Sequence, residues 1–198
     1  MGNFKIETNP NVYEPSDDSY LLAENLIIEE GDEVLEIGTG SGIIAIKASI
    51  LAKSVLATDI NYDALKLAEK NIRMNEIENI ELCFGNLFEP VKNKKFDLIL
   101  FNPPYLPTNE DDILEDNLNY AFDGGIDGMK TINPFLNQVK NHLKSDGKVQ
   151  MIQSSLSKIQ ETINKLEKSG FTVEITARER FFFEKIVLIT GILKNKQH

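Results

Sequence analysis

A single cysteine, Cys83, is all the thiol chemistry available to the 198 residues. That excludes an internal disulfide and a zinc site built on several thiolates, and no other metal site is expected. Cys83 stands among apolar residues in NIELCF, so packing in the core is its expected role. There is no apolar run near the ~18 residues that a membrane-crossing helix requires. Nor does a basic stretch followed by an apolar segment open the chain. A cytoplasmic location without a membrane partner is the expectation. No cluster of lysine and arginine marks a face for polyphosphate, and Asp plus Glu outnumber Lys plus Arg by 31 to 21, a formal net charge of −10. Autonomous nucleic-acid binding is therefore not expected, although a basic partner would suit such a surface.

The length suits one domain over residues 1–198, large enough to bury a substantial core. Apolar periodicity predicts a helix over 17–28 with Ser16 as N-cap, then a strand over 33–37 and a helix over 42–52. A strand over 54–59, a helix over 62–74 and strands over 79–84 and 96–101 follow. Further on, a helix over 130–144, a strand over 147–152 and a helix over 155–168 lead to strands over 171–177 and 182–192. This alternation predicts an α/β fold with a mainly parallel sheet of seven strands and helices on both faces. The last two strands are joined too closely for a parallel crossover and should form an antiparallel hairpin. The segment 106–128 (LPTNEDDILEDNLNYAFDGGIDG) has no clear periodicity; it is either a solvated acidic loop or a binding loop, and a loop this long favours function.

Chemistry first shows in EVLEIGTGSG, residues 33–42. A strand that runs into Gly38, Gly40 and Gly42 and then a helix is a nucleotide-binding turn. The spacing is GxGxG and departs from the dinucleotide pattern GxGxxG. Glu36, at the strand's carboxyl end, would repel a pyrophosphate and suit a cationic ligand. Asp59 ends the next strand, where an acid accepts from ribose hydroxyls or caps the following helix. Asn86 and Leu87 follow the third strand at the same edge, placed to meet an adenine amine and ring or simply to form a turn.

The strand FDLILFNPPY, residues 96–105, ends on Asn102, Pro103, Pro104 and Tyr105. Two prolines remove two backbone donors and end the ladder. What they leave is two outward acceptors, the Asn102 side-chain oxygen and the Pro103 carbonyl. Each can accept one N–H of a planar amide or aryl amine, restoring electron density to a nitrogen that is otherwise a poor nucleophile. Tyr105 adds a face for a planar group.

These residues carry a family resemblance. Through VYEPSDDSYLL (12–22), VLEIGTGSG (34–42), Asp59, FDLILFNPPY and FDGGIDGM (122–129), the chain resembles the HemK/PrmC protein-glutamine methyltransferases. It is closest in form to their short archaeal and eukaryotic branch, which lacks the N-terminal helical domain of bacterial members. The resemblance implies the Rossmann-like fold of class I S-adenosylmethionine-dependent methyltransferases. It also implies cofactor contacts from Ser19, Glu36, Gly38, Gly40, Asp59, Asn86, Leu87 and Asn102, with Asn102 to Tyr105 holding the acceptor. The implied acceptor is the glutamine of the Gly-Gly-Gln loop of a class I translation release factor. A small zinc-binding activator is the implied partner, at the sheet edge near 79–84. Ser19 stands where the family commonly has threonine, and Asn86 where it has aspartate. NPPY equally serves methylation of adenine or guanine amines in DNA or RNA, and a binding module with a vestigial cofactor site would also keep the glycine turn. The first needs base flipping and a basic surface; the second leaves the complete NPPY constellation without a role.

Overall fold

The computed structural model describes residues 4–108 and 123–194. Seven strands form one sheet: β1 (Glu33–Ile37), β2 (Ser54–Asp59), β3 (Ile80–Phe84), β4 (Phe96–Phe101), β5 (Leu143–Ser154), β6 (Phe171–Arg180) and β7 (Lys185–Leu193). Their order is β3-β2-β1-β4-β5-β7-β6, with β7 antiparallel to both of its neighbours and every other pairing parallel. Among the described residues the helices are α1 (Asp17–Glu24), α2 (Ile43–Ala48), α3 (Tyr62–Met74), α4 (Ile132–Gln138) and α5 (Ile159–Lys168). From β1 the chain steps outward one way through β2 and β3, then returns to step the other way from β4. Right-handed crossovers therefore set α2 and α3, with α1 packed on α2, against one face, and α4 and α5 against the other. Covered on both sides, β4 is an almost uninterrupted apolar run, and Leu98, Ile99 and Leu100 are fully buried in it, as are Leu35 and Met151 on its two neighbours. No helix among the described residues is long and apolar enough to cross a membrane.

Several boundaries differ from the sequence expectations. Helix α1 ends at Glu24, four residues early, and Ser16 takes the N-cap position without a side-chain hydrogen bond. Helix α2 stops at Ala48 and α5 begins only at Ile159. The helix expected over 130–144 is α4 followed by a 3₁₀ turn, Val139–His142, and β5 begins at Leu143. Ser145-Asp146-Gly147 resembles a turn before a strand, but the sheet absorbs it as a bulge: Phe96 pairs with Leu143, and Leu98 with Lys148. Strand β6 runs on to Arg180, and the aromatic run expected to start the last strand forms the hairpin tip, with Phe182 and Phe183 exposed. Cys83 is half-buried on edge strand β3 and packs against the rim of the core. Most of the expected binding loop, residues 109–122, lies outside the described residues.

Candidate active site

Strand register builds the site. Ile37 pairs with Thr58 on one side and Phe101 on the other, and Asp59 pairs with Phe84. Continuing each strand past its carboxyl end therefore places Asn86, Asp59, Gly38 and Asn102 side by side along one edge. The glycine turn lies between β1 and β4, where successive strands depart in opposite directions, the position at which open α/β sheets bind ligands. Backbone N–H groups of Gly38 and Thr39 donate to the Thr58 carbonyl at 2.8 and 3.0 Å, drawing the turn back over β2. Gly38 has φ +71°, and the Asn102 carbonyl lies 4.0 Å from where its Cβ would be. A side chain there would be strained by the left-handed backbone, while meeting the start of NPPY only in ordinary contact.

The two acids of the turn have different surroundings. Asp59 accepts from the Gly40 N–H at 2.9 Å and the Asn61 N–H at 2.8 Å, so it holds the turn closed. Capping of α3 falls to Asn61, whose side chain accepts from the Asp63 N–H at 2.9 Å. Burial pushes the Asp59 carboxyl above its ordinary range against these hydrogen bonds. Glu36 stands one layer behind the turn and is 1% exposed. Its Oε2 accepts from Thr39 Oγ1 at 2.7 Å, while Oε1 is buried without a partner. Burial, opposed by the Thr39 hydrogen bond and reinforced by Asp59, pushes its pKa from 4.5 up to about 8.

That shift has a measurable sign. Between pH 4.5 and 8 the unfolded chain ionises Glu36 and the folded chain does not, so folding stability contributed here is lost as pH rises through that window. Glu36→Gln removes the titration. Its melting temperature, relative to that of the parent, should therefore rise steadily from pH 5 to pH 8 whatever the constant offset between them. A pH-independent difference in thermal melts would show that Glu36 does not titrate differently on folding.

Asn102 begins the NPPY turn with its amide divided between two environments. Nδ2 donates to Asp18 Oδ2 at 3.1 Å, whereas Oδ1 is buried and has no partner. Tyr105 Oη also donates to Asp18 Oδ2, at 3.1 Å. Asp18 Oδ1 accepts from Tyr13 Oη at 3.1 Å, the Ser19 N–H at 2.6 Å and Ser19 Oγ at 3.2 Å. Burial first, and then the Asp18 carboxylate, push both tyrosine hydroxyls above the usual phenol range, so both remain donors.

The glycines of Asp123-Gly-Gly-Ile-Asp-Gly128 buttress this turn from outside. The Gly124 N–H donates to the Leu106 carbonyl at 3.1 Å, and the Thr108 N–H to the Gly125 carbonyl at 3.0 Å. Asp123 accepts from Thr108 Oγ1 at 2.5 Å and from the Gly125 N–H at 2.9 Å, and pairs with Lys130. Lys130 first, then Thr108, hold the Asp123 carboxyl below the usual carboxylate range.

A cavity of about 440 Å³ opens between these elements, a size that suits a nucleoside-type ligand. Ser19, Gly38, Gly40, Asp59, Asn86, Leu87, Asn102, Pro103, Pro104 and Tyr105 all line it; of the residues expected at the site only Glu36 lies behind the wall. Asn86 is exposed, and buried Leu87 has φ +48°, which turns the chain at the rim. Sequence reasoning missed Asp18 and the strap of residues 11–15. That strap is held by reciprocal hydrogen bonds upstream: the Glu7 N–H donates to Asn71 Oδ1 at 2.9 Å, and Asn71 Nδ2 donates to the Glu7 carbonyl at 3.1 Å. Asn71 Nδ2 also reaches the Ser41 carbonyl at 2.8 Å, joining the strap to the glycine turn. A buried, periodic asparagine on an otherwise apolar helix face was the available signal.

A family profile, methyltransferase small domain, matches residues 3–183. A protein of Methanocaldococcus jannaschii named as a protein N5-glutamine methyltransferase is 48% identical over 188 residues, which cover 94% of each chain. The release factor glutamine methyltransferase of Aquifex aeolicus is 30% identical over 195 residues, covering 93% of this chain and 68% of that one. Among solved structures, the E. cuniculi Mtq2–Trm112 complex, responsible for methylation of the eRF1 translation termination factor, aligns with TM-score 0.72. The match has 24% identity over 93% of this chain and 99% of that one, so its weight is on the fold.

Proposed function

The chain belongs to the methyltransferase small-domain family, among the protein-glutamine methyltransferases, and from that premise we propose its cofactor, acceptor and partner. The cofactor is S-adenosylmethionine, and the acceptor is the side-chain nitrogen of the glutamine in the Gly-Gly-Gln loop of a class I release factor. One observation carries the acceptor chemistry: Asn102 Oδ1 is buried, unpaired and fixed at the mouth of β4 beside the glycine turn. An unsatisfied buried acceptor is costly unless an incoming donor completes it.

The cavity fits a cationic nucleoside. Buried Asp59 lines it beside the glycine turn and offers carboxyl oxygens to a ribose and its cationic substituent, while Glu36 supports the turn from behind. Ser19, Gly38, Gly40, Asp59, Asn86 and Leu87 line the cavity and would hold S-adenosylmethionine, which supplies an electrophilic sulfonium methyl; Asn102 faces the acceptor. Asn102 Oδ1 and the Pro103 carbonyl each accept one N–H of the glutamine amide, drawing density back to its nitrogen and fixing the direction of its lone pair. Tyr105 and the prolines keep these acceptors from turning away. The nitrogen loses one proton to solvent during or after transfer, and positioning accounts for more of the rate than acid–base catalysis. Incubation with methyl-labelled cofactor and cell lysate tests the reading: the label should enter a protein of release-factor size, and label in nucleic acid would overturn it.

Strand β3 ends the sheet and leaves one backbone edge open, beside half-buried Ile80 and Leu82 and exposed Phe84. Phe84 and exposed Tyr62 meet edge to face with ring centroids 6.3 Å apart. An apolar edge of this kind accepts a partner unless charges blunt it, and Glu81 is the one charged residue of the strand itself. A small zinc-binding activator covers it in this proposal. Co-expression with the candidate activator from the same genome should give a 1:1 complex on size exclusion; a soluble, fully active lone chain would refute the partner.

A further inference from the structure

The chain's own carboxylate at Asp18 faces the substrate clamp and has no part in the chemistry above. We propose that Asp18 is the positioning residue that sets which way the Asn102 amide faces, an inference that rests on the clamp reading of Asn102. Amide oxygen and nitrogen have nearly the same shape, so packing alone does not choose between the two orientations. Asp18 chooses: its Oδ2 accepts from Asn102 Nδ2 and from Tyr105 Oη, so the Asn102 edge facing it is the N–H edge. The opposite edge, Oδ1, is buried without a partner in the wall that Asn102 gives the cavity, and is the acceptor left over. Asp18 is 4% exposed and is itself fixed by donors from three directions. Tyr13 and Ser19 hold Oδ1, and Tyr105 shares Oδ2 with Asn102. The same carboxylate thus joins the strap, α1 and both polar ends of NPPY, and it acts on the acceptor only through Asn102.

Reversing the polarity of this contact tests the proposal. In Asp18→Asn, the three donors from Tyr13 and Ser19 still require an oxygen at the Oδ1 position, so the new amide must present its NH₂ to Asn102. Asn102 then turns its oxygen inward and offers N–H groups to the N–H groups of the acceptor. Turnover should fall ~10²-fold, the scale for losing one preorganised partner, while cofactor affinity stays within about threefold. Asn102→Asp alone sets two carboxylates face to face and should lose at least as much. The double variant D18N/N102D restores a donor facing an acceptor and leaves the second oxygen of residue 102 toward the cavity. Its turnover should exceed that of either single variant by at least about tenfold, a coupling that independent sites do not show. Multiplied losses in the double variant would overturn the proposal and leave Asp18 a structural support.

A readout free of the acceptor accompanies the kinetics. In a ¹H–¹⁵N spectrum the Asn102 side-chain NH₂, assigned by its loss in N102D, should exchange slowly with water in the parent and at least ~10-fold faster in D18N. Equal exchange rates would overturn the proposal even if the acceptor protein proved to be a different one. Slowed exchange together with no transfer to release factor would instead refute the acceptor reading alone.

Discussion

Asn102→Ala should abolish most methyl transfer, lowering turnover by ~10²–10³-fold, the loss seen when one preorganised partner is removed from a reacting group. The side chain stands at the end of a fully paired central strand, so truncating it leaves β4 and its register intact. On the proposed clamp the missing oxygen is the one the acceptor would use, and the proposed cofactor contacts along the other strand ends remain. S-adenosylmethionine affinity by calorimetry should therefore change only a few-fold. Equal losses in affinity and turnover would assign Asn102 to the cofactor and leave the acceptor without its clamp.

Gly128→Ala should be nearly as damaging, from a residue that touches neither ligand. Gly128 has φ +72°, and a Cβ there would lie 2.3 Å from the Tyr105 carbonyl oxygen and 2.6 Å from Ser157 Cβ. Left-handed backbone costs a residue with a side chain ~1–2 kcal/mol, and forced overpacking typically adds ~1–3 kcal/mol. Relief requires Tyr105 to move outward, and misplacement of a reacting group by ~1 Å can cost ~10²-fold in rate. A variant several degrees less stable, native by circular dichroism at assay temperature, with near-normal cofactor affinity and ~10²-fold lower turnover is the expected result. Full activity in a stable variant would show that the DGGIDG turn does not support NPPY.

Particular elements explain what could be read before the structure. Strands β1, β2 and β4 were legible within a residue because sheets covered on both faces need continuous apolar runs, and these end abruptly at Gly38, Asp59 and Pro103. Once the strand ends were known, a parallel order put their following residues on one edge, which is why ten of the eleven expected site residues line one cavity. The β6–β7 tip misled because Phe182 and Phe183 satisfy a strand pattern equally well when they face solvent. Leu143 was hidden by a turn-like Ser-Asp-Gly that only its pairing with Phe96 reveals as a bulge. Asp18 was hidden for a different reason. An acid in the first turn of a helix already has a local explanation in the helix dipole, and its actual partner lies 84 residues away. Glu36 was expected to face the ligand, and alternation along β1 could not show that it accepts from Thr39 and stands outside the cavity lining.

In the proposed reaction the NPPY acceptors hold a glutamine amide for methylation. Purified chain with its small partner, S-adenosylmethionine and a class I release factor should be incubated and the factor digested for mass spectrometry. One added methyl group, mapped to the side-chain nitrogen of the Gly-Gly-Gln glutamine and missing with N102A, is the result expected here. An unmodified glutamine, with methyl groups appearing on another residue or on nucleic acid under the same conditions, would contradict it.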